Sequence, residues 1–146
     1  ELYSIDYIND PYVISQIDNM VSINSSIQID ILGQACSDTI GLKQYSGVGG
    51  QVDFVRGAAR SKGGKAILAQ PSTAAGGNIS RIVDTLDKGA VVTTSRYDIQ
   101  FVVTEYGIAD LRVKTNSERA KELIKVAHPD FRGELKKAAK KRNLII

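Results

Sequence analysis

Tryptophan is absent from this 146-residue chain, and cysteine, histidine and methionine each occur once. A lone Cys36 rules out an internal disulfide framework, suits a reducing cytosol, and reads as a small half-buried side chain. The single histidine, His128, stands before Pro129 with no Cys, Asp or Glu at ligand spacing. It therefore offers neither a metal site nor a Ser/His/Asp triad, and reads as a helix terminator. No apolar run has the length of a membrane span, and the first residues do not read as a signal peptide.

Neither sign of charge dominates: 19 Lys and Arg against 16 Asp and Glu leave a net charge of +3. The basic excess gathers after Arg112 and is densest from Lys136 to Arg142. No aromatic side chain interleaves that run for base stacking, so it reads as a solvated helix face rather than a nucleic-acid surface. A hydrophobic content of 42% and a charged content of 24% are those of a soluble globular protein. The length suffices for one domain with a real core.

The periodicities predict an alternation of strands and helices. Asp10-Pro11 reads as a helix start, with Asp at the N-cap, Pro at the first turn, and Val13, Ile14 and Ile17 on one face. Met20–Ile23 and Ile27–Ile31 alternate like strands, with Gly33 ending the second. A helix is expected from about Gln51 to Ser61, where Lys62-Gly63-Gly64 breaks it, and Asp53 and Arg56 stand at the i, i+3 spacing of an ion pair. Ala66–Ala69, Ile79–Leu86, Ala90–Thr94 and Ile99–Thr104 read as further strands, and Pro71–Asn78 as a loop of small residues. Helices are expected from Ser117 to Ala127 and from Asp130 to Lys141. The short apolar runs suit a sheet covered on both faces. The fold class is thus α/β: one layered domain with a mixed, mostly parallel sheet flanked by helices.

The most informative stretch is Ser46-Gly47-Val48-Gly49-Gly50-Gln51, three glycines in four positions feeding a helix. Missing side chains let the backbone turn sharply or let a ligand come close. The helix mouth adds free N–H groups and a partial positive charge.

The segment Gly49-Gly50-Gln51-Val52-Asp53-Phe54-Val55-Arg56-Gly57-Ala58-Ala59-Arg60-Ser61 resembles the G-G-Q-x-D-F-x-x-G-A-x-x-S signature of the acetyl-CoA hydrolase/transferase family. That family includes the butyryl-CoA:acetate and 4-hydroxybutyrate CoA-transferases. Segments around Ser22, Pro71, Ser80, Val103 and Ala127 are similar to family segments in the same order, so the resemblance runs over nearly the whole chain. It identifies residues 1–146 as the C-terminal domain of a longer enzyme.

The resemblance implies a ping-pong reaction in which a glutamate attacks an acyl-CoA thioester, forming a glutamyl-CoA thioester that a second carboxylate takes over. The family's nucleophile lies in an upstream H-T-E-M segment, which does not occur here, so this fragment alone is expected to be inactive. The implied catalytic residues are Gly50, whose amide would hold the developing oxyanion, and Asn9 beside the reacting thioester. Each has a plainer reading: Gly50 as a tight turn and Asn9 as a capping residue. Asn24 is a weaker candidate of the same kind. Gly47, Val48, Gly49, Gly50 and Gln51, with Ser72 and Thr73, are the implied coenzyme A contacts. Relatives place a lysine near Ala75 or Gly76; none stands there, and Lys62 and Lys65 are the nearby alternatives. Glu105 reads as a structural carboxylate, capping a loop or paired with an arginine, before it reads as a substitute nucleophile. No tightly bound cofactor or metal is implied. The expected partners are acyl-CoA, a small carboxylate and the N-terminal domain of the same enzyme, with a homo-oligomer at full length and a cytoplasmic location. Acetyl-CoA hydrolysis and a non-catalytic CoA-binding module remain the alternative readings.

Overall fold

The computed structural model describes residues 1–146. Two short helices, α1 (Ile5–Ile8) and α2 (Pro11–Ser15), open the chain. The Asp10 carboxylate caps α2 by accepting from the Tyr12 N–H at 2.7 Å, as its position before a proline predicts. Ile14 is buried from this helix, whereas Ile17 lies beyond its end and is exposed.

Strands β1 (Val21–Asn24), β2 (Gln28–Asp30) and β3 (Ala35–Cys36) follow, then a hairpin of β4 (Thr39–Ile40) and β5 (Lys43–Gln44). Helix α3 (Gln51–Arg60) leads to β6 (Lys65–Ala69). A second hairpin, β7 (Thr73–Ala74) and β8 (Ile79–Ser80), folds around a 3-10 turn at Ala75–Gly77. Then come β9 (Ile82–Val83), β10 (Phe101–Thr104), β11 (Gly107–Asp110), α4 (Asn116–Val126) and α5 (Pro129–Lys141). The central sheet runs β1-β6-β10-β11, parallel except for the final β10–β11 hairpin. A smaller sheet, β3-β2-β9, stands beside it.

Ala66, Leu68, Val102 and Ala109 point from the central sheet toward the helices and are buried. Leu68, Val102 and Ala109 join Ala120, Leu123 and Ile124 of α4, and Ile29 and Ile82 of the small sheet, in the main core. Ala66 joins Val55 and Ala58 of α3 in a smaller one. Each fully buried Val, Leu or Ile contributes about 1.5–3 kcal/mol of transfer free energy. Arg119 joins the parts: its guanidinium donates to the carbonyls of Leu32, Arg96 and Leu111 at 2.8–2.9 Å. Burial lowers its pKa. A Cβ on Gly33 would lie 2.4 Å from Arg119 Nη2, and Gly33 has a φ of +89°, so both sterics and backbone require glycine there.

Several sequence expectations need correction. Ala90–Thr94 is no strand; its one ladder contact is an isolated bridge, Thr94 to the two-residue strand β3 at Ala35, and the Thr93 hydroxyl bonds Ser37 and Asp38 beside it. The run expected from Ile79 to Leu86 splits at Arg81: β8 pairs with β7, and β9 with β2. The helix expected at Ser117 begins at Asn116, because Thr115 and Glu118 form a reciprocal capping box. Arg56 does not pair with Asp53 but makes a two-pronged bond to Asp98 at 3.0 and 3.2 Å. Cys36 is fully buried rather than half-buried. The central sheet is covered by helices on one face only.

Candidate active site

The glycine loop ends where α3 begins, and neighbouring elements hold it at its base. Tyr45 and Ser46 donate their N–H groups to the Asp38 carbonyl at 2.8 and 3.2 Å. The buried Asp38 carboxylate accepts from Gln44 Nε2 at 3.0 Å and from the Thr93 hydroxyl. Those hydrogen bonds, the Thr93 one foremost, lower its pKa. Asp38, Gln44 and Thr93 are positioning residues that the sequence reading missed; only the Gly41 turn between β4 and β5 marks the hairpin in the sequence.

Gly49 has a φ of +60°, the left-handed conformation that favours glycine, while Cβ atoms on Gly47 or Gly49 would meet nothing within 4 Å. Gly50 differs. Its φ of −91° suits any residue, but a Cβ there would lie 2.7 Å from Asn9 Nδ2 and 3.4 Å from the Phe54 ring. Close approach, not dihedral angle, therefore sets position 50 apart: a Cβ there would have to push the unbonded Asn9 carboxamide aside. Its N–H meets no acceptor within the chain, and no side chain caps the helix. Asn9 is half-buried at the end of α1, and its carboxamide makes no hydrogen bond within the chain. The two residues named as catalytic candidates, 41 positions apart, thus lie side by side.

That approach depends on a second glycine. A Cβ on Gly57 would lie 2.5 Å from Ile14 Cβ, so its absence lets α2 pack tightly on α3 and brings Asn9 to the helix mouth.

The other candidates separate. Gln51 Nε2 donates to the Ser37 and Thr94 hydroxyls, both at 3.0 Å, so its side-chain donors tie down the helix start and only its Oε1 and its backbone are left for a ligand. Ser72 is fully buried, and its N–H and hydroxyl both donate to the Glu105 carboxylate, at 2.9 and 2.5 Å. That hydroxyl is not available to donate to a ligand, which corrects the side-chain role expected for it. Thr73 is half-buried and its hydroxyl makes no hydrogen bond within the chain. Asn24 donates within its own strand, to Ser22 Oγ at 2.8 Å. Lys62 lies 3.7 Å from Asp18, and Lys65 stands at the end of β6 remote from the 71–78 loop.

Glu105 occupies the two-residue turn between β10 and β11. With both oxygens held by Ser72, its carboxyl is pulled below the usual range, the Ser72 hydroxyl contributing most. It is the loop-capping carboxylate that the sequence suggested. His128 caps α5, its Nδ1 accepting from the Asp130 N–H at 3.3 Å. No group of three or more His, Cys, Asp and Glu is placed to hold a metal ion, and no helix is long and apolar enough to cross a membrane.

A cleft of about 460 Å³ runs beside this region, lined among others by Ser37, Tyr45, Ala74, Ser80 and Arg81. Tyr45 precedes the glycine loop and Ala74 follows Thr73, so the opening adjoins both segments expected to meet coenzyme A, although none of the residues 47–51, 72 and 73 lines it. Arg81 and Asp87 are its only charged lining residues.

The family model for the acetyl-CoA hydrolase/transferase C-terminal domain matches residues 1–139. The chain belongs to that family. It is 62% identical over 142 residues to the 4-hydroxybutyrate coenzyme A transferase of Clostridium kluyveri, covering 97% of this chain and 33% of that protein. An acetyl-CoA hydrolase of Saccharomyces cerevisiae is more distant, at 34% identity over 87% of this chain and 24% of its own. RipA of Yersinia pestis superposes with a TM-score of 0.89 at 53% identity, over 96% of this chain and 31% of that one. The chain thus spans about a third of the length of the Clostridium kluyveri and Yersinia pestis proteins. Within this family domain, Gly50 and Asn9 set a free backbone donor beside an unpaired carboxamide, while the cleft opens between Tyr45 and Ala74.

Proposed function

We propose that this chain is the C-terminal domain of a CoA-transferase that moves coenzyme A between a short-chain acyl-CoA, of the butyryl or 4-hydroxybutyryl type, and a carboxylate such as acetate. A glutamate elsewhere in the polypeptide attacks the thioester carbonyl carbon and CoA leaves as thiolate. The thiolate then takes the glutamyl carbonyl, releasing the first carboxylate and leaving a glutamyl-CoA thioester. Each attack places negative charge on a carbonyl oxygen. The Gly50 N–H, aimed in advance at a helix mouth, stabilises that charge without reorganising. The Asn9 carboxamide donates beside it. The CoA arm passes the Gly47–Gln51 loop and Thr73, whose hydroxyl is free, and reaches the neighbouring cleft, where Arg81 offers positive charge.

The observation that carries this reading is the pairing of an uncommitted amide at Gly50 with an uncommitted carboxamide at Asn9. The greater similarity to a named transferase than to a named hydrolase favours transfer over hydrolysis. The buried single thiol fits a reducing compartment, and we assign the protein to the cytoplasm.

Proline at position 50 would remove the amide hydrogen but add atoms that strike Asn9. The cleaner test replaces Gly50 of the full-length enzyme with glycolate, turning one amide into an ester. A fall in kcat of roughly 100-fold or more, typical of a lost oxyanion donor, with acyl-CoA binding retained, is the expected result. An unchanged kcat would overturn the assignment.

A further inference from the structure

Positive charge collects at the end of the sheet away from the glycine loop. Two neighbouring cavities, of about 460 and 610 Å³, meet at Tyr97 and Gln100. Arg56 and Arg60 line the first, and Arg96, Arg112, Lys114 and Arg119 the second. Asp98 supplies the only lining carboxylate, and Arg56 already holds it through two bonds. Arg112 is paired with Asp110 and Lys114 with Glu122, but Arg60, Arg96 and Arg119 form no ion pair. Arg60 and Arg96 are exposed. The cluster stands at the N-terminal ends of β6 and β10: Arg60 ends α3, Arg96 and Tyr97 precede β10, and Arg112 follows β11. The glycine loop feeds the other end of α3, about 15 Å away along a helix of 10 residues.

Arg119 makes this more than a solvated basic surface. It is only 8% exposed, and its bonded donors go to carbonyls, none to a carboxylate. A buried charge is ordinarily paired. Burial foremost, and then the positive charge of Arg96, lower its pKa, a penalty that an anion in the adjoining cavity would offset. Tyr97 adds an aromatic plane, 93% exposed, where the two cavities join. The turn that carries it is fixed, because Asp98 accepts from Arg56 and from Ser95 Oγ, the latter at 2.9 Å. Gln100 accepts the Ala66 N–H through Oε1 at 3.1 Å and keeps its amide nitrogen free. We propose that these cavities form a second ligand site, for a nucleoside di- or triphosphate. The base stacks on Tyr97, and the unpaired guanidinia of Arg60 and Arg96 hold the phosphates. Arginine forks bond phosphate oxygens in pairs, which suits this ligand better than a point charge does. Both cavities are concave and of small-molecule size, unlike the flat contact of a protein partner. The site is separate from the one proposed for acyl-CoA and does not depend on it.

Isothermal titration of the full-length polypeptide with ADP, inorganic pyrophosphate and CoA tests this. ADP is expected to bind more tightly than pyrophosphate. Arg60→Ala combined with Arg96→Ala should weaken ADP binding about 10-fold or more, through lost charge-assisted bonds, and leave CoA affinity unchanged. Tyr97→Ala should weaken ADP but not pyrophosphate. No ADP binding at millimolar concentration would overturn the proposal, as would an ADP affinity that the arginine variant leaves intact. Pyrophosphate bound as tightly as ADP would show an anion site without nucleotide recognition, and would overturn it too. An equal loss of CoA affinity would make the cluster part of the acyl-CoA site, again against the proposal. Should the variant fail to fold, photolabelling of the unaltered polypeptide with azido-ADP decides. Label on the peptide bearing Tyr97 supports the site, and label only on other peptides refutes it. No readout requires turnover, so the reading of the glycine-loop site stands or falls separately.

Discussion

Asn9 Nδ2 sits where Gly50 would carry its Cβ, 2.7 Å from that position. The two residues share one small space, and the end of α1 and the mouth of α3 are fitted to each other through it. Two consequences follow for stability and catalysis.

Gly50→Ala pushes the unbonded end of the Asn9 side chain aside and is expected to destabilise the full-length protein by about 1 kcal/mol, the low end of overpacking costs. Asn9→Ala removes the obstacle, so the double variant should recover most of that loss. The coupling, measured by urea denaturation, should be roughly 0.5–1 kcal/mol. Strict additivity would show that the two side chains do not compete. Asn9→Ala alone should lower kcat about 10-fold or more, equivalent to ~1.4 kcal/mol of transition-state stabilisation.

The bond between Ser72 and Glu105 ties the 71–78 loop to the β10–β11 turn. The folded state lowers the Glu105 pKa, so folding favours the ionised form. The resulting stability is fully present above the ordinary glutamate range and disappears as pH falls through the lowered folded value. Glu105→Gln removes this titration. At pH 7 the variant should be less stable by about 1 kcal/mol, after allowance for the exposure of this turn. The gap should close in acid, and denaturant midpoints compared across pH provide the check. A gap that widened toward low pH would contradict the sign of the shift. CoA-transfer activity at neutral pH should survive Glu105→Gln far better than loss of the true nucleophile.

Arg119 donates to three carbonyls from three separate loops, the farthest 87 residues away in sequence. Arg119→Met leaves those buried acceptors without their partner and should cost about 3–5 kcal/mol. Arg119→Lys should rescue little, because a single ammonium lacks the planar fork that reaches all three. Thermal unfolding of the full-length protein would test this, and a Lys variant as stable as the parent would refute it.

Glycine and helix periodicity carried much of this fold in plain view. Asp10-Pro11, the run from Gln51 to Arg60 and the His128-Pro129 break are local signals, set by capping, side-chain spacing and the missing proline N–H. Ala90–Thr94 misled because β-branched residues resemble a strand whether or not a partner edge exists. The short α1 and the strand pairs β3, β4 and β5 were missed because two to four residues carry no periodicity. At the site, the glycine loop was legible but its supports were not: Asp38 and Thr93 lie 55 residues apart and meet only in the folded chain.

Residue order alone determined the family signature, the glycine-rich turn into α3 and the lack of any H-T-E-M segment, since each is a property of neighbouring residues. Only the tertiary structure decided that Asn9 abuts Gly50, that Arg56 chooses Asp98 over the nearer Asp53, and that Ser72 is spent on Glu105. It alone decided, too, that half of the central sheet stands bare. These outcomes depend on which distant groups share a space, and sequence spacing does not encode that distance.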